Sequence, residues 1–235
     1  MIKSAFEYLV GLGNTRIETI GDQKFATQPL HPVKMATPAT ILVHSLSGLV
    51  EYLQSEFDGP DSLMVHVNSP TEVECFSNFN RDFARNRLIK AQAMLPEFSF
   101  ERWLDPESFN IKLQSCFVPN FDREVMLKVV GNIKEDAVKT YGDDGVSQTV
   151  TAKTGVATME QVVVPNPVVL APYRTFVEVE QPASEFIFRM QSGPKCALFE
   201  ADGGAWKLKA MQSIKDYLHV ALDKEVDAGR LVIIA

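Results

Sequence analysis

Short alternating runs separated by glycine-, asparagine- and proline-containing turns, interleaved with segments of helical spacing that carry their own start signals, place this chain in the α+β class. The expectation is a mainly antiparallel sheet, its hairpins packed against several helices around a single core. A second observation fixes where the sheet should centre. The longest series of strand-forming residues runs from Val162 to Met190, and Pro165, Pro167, Pro172 and Pro182 cut it into short pieces. A third is composition: 235 residues, 46% hydrophobic and 23% charged, suit one soluble globular domain with a sizeable core and argue against disorder.

In chain order, Ile2 to Val10 has the spacing of a short amphipathic helix, stopped by Gly11 and Gly13. Arg16–Ile20 and Gln23–Thr27 flank Gly21-Asp22 as a hairpin, and Pro29, Pro32 and Pro38 make the next stretch irregular. Thr37-Pro38 reads as a helix start for an apolar stripe from Ile41 through Leu46, Leu49 and Leu53 to Phe57. Leu63–Val67 and Glu72–Phe76 form a second hairpin around Asn68-Ser69-Pro70, with Val65, Val67, Val73 and Cys75 on its core face. Arg87 to Met94 adds a third strand, with a helix as the alternative because Ala91 and Ala93 weaken the strand signal.

Asp105-Pro106-Glu107 opens a helix that should turn Phe109, Leu113, Cys116 and Phe117 inward, and Asp122 caps the next, from Arg123 to about Val130. Ala137–Tyr141 and Val146–Ala152 flank a turn at residues 142–145. In the central stretch, Tyr173–Glu180 and Ser184–Met190 both alternate, so the two runs should pair antiparallel, with Phe186, Phe188 and Met190 sharing a face. Phe199, after Ser192-Gly193-Pro194, should start the next strand, and Asp202-Gly203-Gly204 turns the chain into another at Trp206–Lys209. Ala210–Leu222 is an amphipathic helix. Leu231–Ala235, apolar and β-branched, should pair with a sheet, either its own or a neighbouring subunit's.

No glycine- or serine-rich linker divides the chain, so residues 1–235 read as one domain; a subdivision near Pro119-Asn120 stays open. The formal charge of −7 gives no global field for phosphate backbones. Three scattered cysteines, no signal peptide and no run of the roughly 20 apolar residues needed to span a bilayer lead to the expectation of a cytoplasmic protein that does not engage membranes.

The motifs that name a chemistry are missing. There is no phosphate-binding G-x-x-x-x-G-K-[ST], no nucleophile elbow, and no zinc spacing among His31, His44, His66 and His219. No cofactor, metal site or catalytic residue is expected. Glu178 and Glu180 share a strand face, and Glu200, Asp202, Lys207 and Lys209 gather near one turn. That set loosely evokes metal-dependent nucleases in the wrong order, and a solvated strand face with an ordinary hairpin turn explains it as well.

One patch runs against the acidic background. Phe76, Phe79 and Phe83 interleave with Arg81, Arg85, Arg87 and Lys90, a mixture of stacking rings and cations that suits a nucleotide or single-stranded nucleic acid. The alternative is cations that pair with the chain's excess acids.

The segments DDGVSQTVTAKTGV, VPNPVVLAPYRTFVEVEQPASEFIFRM and LFEADGGAWKL resemble uncharacterised phage and prophage proteins of the YfdQ-like family over roughly the C-terminal half of the chain. The resemblance carries no catalytic motif. It implies a phage-encoded, non-virion protein made in the infected or lysogenic cell. With the missing motifs, the expectation is a non-enzymatic protein that binds or self-assembles, as a homo-oligomer or with a host protein, one role being interference with host defence. An accessory of phage DNA metabolism that binds single strands is the alternative, and a metal-dependent nuclease a further one.

Overall fold

The computed structural model describes residues 2–14, 16–21, 23–26, 36–59, 61–132, 139–143, 148–154, 158–164, 166–191 and 193–235. The chain divides into two compact units, Met1–Thr37 and Pro38–Ala235. In the first, helix α1 (Ile2–Gly13) runs through Gly11, where a stop was expected, and the hairpin of β1 (Ile17–Ile20) and β2 (Gln23–Ala26) forms in the expected register. No residue described in this unit is buried.

The second unit runs in the order β3 (Ile41–Val43), α2 (Leu46–Ser55), β4 (Leu63–Ser69), β5 (Glu72–Phe79), β6 (Arg85–Gln92), α3 (Pro106–Cys116), α4 (Phe121–Gly131), β7 (Lys139–Asp143), β8 (Gln148–Thr154) and β9 (Thr158–Val164). It continues through β10 (Val168–Leu170), β11 (Ser184–Gln191), β12 (Lys195–Glu200), α5 (Trp206–Ala221), α6 (Asp223–Asp227) and β13 (Leu231–Ile234). The architecture is α+β, with mostly antiparallel pairing.

A five-stranded sheet in the order β13-β4-β5-β6-β3 is antiparallel at its centre and parallel at both edges. Its inner face, Val65, Val67, Val73, Cys75, Ile89 and Ala91, packs on Leu46, Leu49 and Leu53 of α2 and Ile214 and Leu218 of α5. Period-two alternation puts these residues on one side, so the expected core face of the β4–β5 hairpin is the observed one. A three-stranded sheet, β10-β11-β12, packs Phe186, Phe188 and Met190 against Phe109, Leu113 and Cys116 of α3, Phe117 just beyond it, and Met126 of α4. Strands β7, β8 and β9 form a further antiparallel sheet; of the turn expected at 142–145, residues 142 and 143 continue β7 and residues 144 and 145 lie outside the described residues.

Between β10 and β11 the expected strand at Tyr173–Glu180 does not form. Instead the Gln181 side chain satisfies the backbone: its Oε1 accepts from the amides of Arg174 and Thr175 at 2.9 and 3.2 Å, and its Nε2 donates to the carbonyls of Phe176 and Val179 at 2.9 and 3.3 Å. One buried amide therefore replaces a ladder. The segment straps the two core clusters together. At one end the Tyr173 amide donates to the Cys116 carbonyl, and further along the Thr175 hydroxyl donates to the Pro70 carbonyl at 2.6 Å while Glu178 accepts from the Leu46 amide at 2.8 Å.

Three helix starts differ from expectation, each with a side chain that accepts from a backbone amide at or close to the observed start. Ser45, not Thr37, caps α2 by accepting from the Gly48 amide, and Ile41–Val43 ahead of it pairs parallel with β6. Asn120 rather than Asp122 caps α4, accepting from the Arg123 amide. Asp202 accepts from the amides of Gly204 and Trp206, so Trp206–Lys209 opens α5 instead of forming a strand. Leu231–Ile234 takes the first of its two expected roles and closes the edge of its own sheet beside β4.

Candidate binding surface

The seven residues of the aromatic and cationic patch all lie on β5, β6 and the turn between them. Phe76 pairs with Arg87 and Phe79 with Arg85, with register shifts on either side of Phe76. Bulges of this kind twist a hairpin away from the flat sheet. Beyond them the tip is fixed by Asn80, whose Oδ1 accepts from the amides of Asp82 and Ala84 at 2.9 and 3.0 Å. The Asn80 carbonyl accepts from the Phe83 amide at 3.0 Å, and the Asn80 amide donates to the Ala84 carbonyl at 2.8 Å.

This clamp holds Phe83 at φ = 56°, a left-handed conformation that bulky residues rarely adopt. The ring at that strained position is 84% exposed, and Phe79 is 61% exposed. Over the Phe79 ring the Arg85 guanidinium lies 4.1 Å from the centroid, and it also donates to the Ser77 carbonyl at 3.1 Å.

The cations deeper in the patch are internally neutralised. Arg87 Nε lies 3.0 Å from Glu74, and Lys90 Nζ lies 2.6 Å from Glu72. The Lys90 and Asn68 donors hold the Glu72 carboxyl below its ordinary range against the opposing effect of burial. Arg81 lies 3.8 Å from Asp82. The structure thus sets all seven residues along one hairpin and divides them into an ion-paired base and an aromatic tip.

The carboxylates near the Gly203-Gly204 turn serve the fold. Glu200 binds Arg174 at 3.0 Å, Asp202 accepts from the Gly204 and Trp206 amides in the turn that leads into α5, and Glu178 accepts from the Leu46 amide at the start of α2, 132 positions away. Arg174 is buried, stacked 4.0 Å over the Trp206 ring, and donates to the Pro182 carbonyl and Ser184 hydroxyl. Among the described residues no group of three His, Cys, Asp or Glu is placed to hold a metal ion. Cys75 and Cys196 are buried thiols pushed up to about 12 by desolvation, the state of an inert cysteine.

Sequence reasoning missed a small cavity of about 170 Å³ at the end of α2, lined among others by Tyr52, Asp58, Asp61, Asn86 and Arg230. Tyr52 donates to Asp58, and burial first, then that carboxylate, pushes its phenol up. Nothing in the local pattern signals this cavity, because Arg230 arrives from 177 positions away to bond the Leu53 carbonyl. Among the described residues no helix is long and apolar enough to cross a membrane. The chain matches no family model, no curated protein and no solved structure.

Proposed function

We propose that this chain is a binding protein rather than a catalyst, and that it seats the aromatic tip of the β5–β6 hairpin in an apolar pocket of a partner protein. One observation carries the reading: Phe83 is held solvent-exposed in a strained backbone conformation by the Asn80 clamp. Strain persists where surrounding structure over-determines it, and such positions concentrate at sites of recognition. Exposed rings flanked by arginine are also the composition of interface anchors. The resemblance to YfdQ-like phage proteins supplies the setting: the cytoplasm of an infected or lysogenic cell, with a host protein as partner and interference with host defence as the outcome.

The test is a photo-crosslinking residue placed at position 83 and, as control, at Val220, an exposed position on α5. In bacterial cells a discrete protein adduct should form at position 83 and not at position 220. Identical patterns at both positions would overturn the reading.

A second reading, single-stranded nucleic acid, is favoured by the exposed Phe79–Arg85 stack, which offers a base a platform. It requires a nucleic-acid adduct at position 83, and anisotropy of a labelled oligonucleotide that weakens steeply with salt. Alanine at Phe79 would then cost about 1–3 kcal/mol of binding. The ion pairing of Arg87 and Lys90 weighs against this reading.

A further inference from the structure

The cavity at the end of α2 is walled in part by a guanidinium whose hydrogen bonds are mostly unmade. The Arg230 side chain is only 12% exposed, yet of its three nitrogens only Nη2 makes a hydrogen bond, to the Leu53 carbonyl at 2.8 Å. Glu56 lies 3.6 Å from Nε and Glu225 lies 3.7 Å from Nη2, both longer than a hydrogen bond. Among the described residues nothing hydrogen-bonds Nε or Nη1, and neither atom is sealed from solvent. Because Arg230 forms part of the cavity wall, these donors are available to an occupant. A donor so little exposed requires an acceptor.

Water fills a cavity that gives it several polar partners, and this one gives few. Leu53, Leu63 and Leu88 make much of the wall, with Tyr52 and Phe57 beside them. The Ser77 hydroxyl is already engaged, donating to the Asn78 carbonyl at 2.8 Å and accepting from the Asn86 amide at 3.0 Å. An apolar cavity of about 150 Å³ accepts a benzene ring, so about 170 Å³ suits one six-membered ring with a short substituent. Charge then selects the substituent. The exposed carboxylates of Glu56, Asp58 and Asp61 line the cavity against the one cation, Arg230, so an anion is repelled. An ammonium would satisfy those carboxylates and leave the Arg230 donors without an acceptor. A neutral group that carries a carbonyl beside an N–H answers both. Asp58 is occupied by the Tyr52 phenol, whereas nothing described bonds Asp61.

We propose that this cavity binds a small aromatic carboxamide, its carbonyl accepting from the Arg230 guanidinium and its N–H donating to Asp61. The ring lies among Leu53, Leu63 and Leu88.

Saturation-transfer NMR on the full chain, with benzamide titrated from about 0.05 to about 20 mM, should show saturable binding with a Kd on the order of 1 mM, ordinary for so small a ligand. Benzoate and benzylammonium match its ring and size and differ in charge, and each should bind at least about tenfold more weakly. Asp61→Ala, at an exposed position, should weaken benzamide about tenfold and leave the melting midpoint unchanged. Arg230→Lys should remove saturable binding; circular dichroism checks its fold, and Asp61→Ala decides the matter if it does not fold. Benzamide that fails to saturate would mean a cavity holding water only and overturns the proposal. Equal binding of benzoate or benzylammonium, or an unchanged affinity in Asp61→Ala, overturns it too. Phe83→Ala should leave the benzamide affinity unchanged, which separates this site from the proposed partner surface.

Discussion

Phe83 concentrates a conflict between local strain and exposure. A left-handed backbone costs an L-residue roughly 1–2 kcal/mol, and a ring that is 84% exposed recovers little of that by burial. Phe83→Gly should therefore stabilise the protein by about 1 kcal/mol through relief of strain, less what glycine's added chain entropy takes back. The same change should abolish the partner adduct formed by a photo-crosslinking residue placed at Arg81 instead of position 83. Denaturant midpoints read the first effect, and a lowered midpoint would mean that the ring packs more than its exposure indicates. Arg174 shows the opposite case, a buried residue whose every bond serves the fold. Burial pulls its guanidinium down to about 10, and the Glu200 and Asp202 carboxylates oppose the shift. Lysine cannot reproduce its planar fork or its stack on Trp206. Arg174→Lys should cost roughly 2–3 kcal/mol, the loss of about one well-made charged hydrogen bond, measured by urea unfolding.

Elements were legible in the sequence wherever the pattern was local. Alternation alone locates β4 and β5 and their buried face, and Asp105-Pro106 alone locates α3, because the cap, the proline and the apolar spacing sit within one turn of each other. Where long-range partners decide, the pattern misleads. Tyr173–Glu180 alternates like a strand, yet the neighbouring Gln181 takes its amides and Thr175 is drawn to Pro70, 105 positions away. Ile41–Val43 reads as the first turn of a helix until β6 offers a parallel edge. The same holds for the patch: its membership was legible, but the pairing of Arg87 with Glu74 and Lys90 with Glu72 depends on β-register. That register has a pH signature. The Glu72 carboxyl is depressed in the folded state, so its contribution is fully present above the unfolded carboxylate value of about 4.3 and is lost as pH falls through the lowered folded value. The stability gap between the wild type and Glu72→Gln should be constant above about pH 5 and close below it, with a size of about 1 kcal/mol for a pair that is only partly buried. Urea midpoints between about pH 3 and pH 7 check this, and a gap that widens on acidification would contradict the assigned pairing.

At the scale of the whole molecule, the two units differ in kind. Residues 38–235 carry both core clusters, whereas residues 1–37 offer a helix of 12 residues and a two-stranded hairpin with no described residue buried. Neither element is stable alone in water, since a helix that short is marginal and an isolated hairpin lacks a face to pack on. Large apolar side chains nevertheless stud the unit, including Ile2, Phe6, Leu9 and Val10 on α1, and all are exposed. Stability should thus reside wholly in residues 38–235. Deleting residues 1–37 should leave a chain that unfolds in one cooperative transition with its melting midpoint unchanged. In the full-length chain the amides of α1, β1 and β2 should exchange with solvent orders of magnitude faster than those of β4 and β5, because local opening there costs far less than global unfolding. A fall of several degrees on deletion, or protection in α1 matching that of β5, would show instead that the unit's apolar side chains are buried in solution.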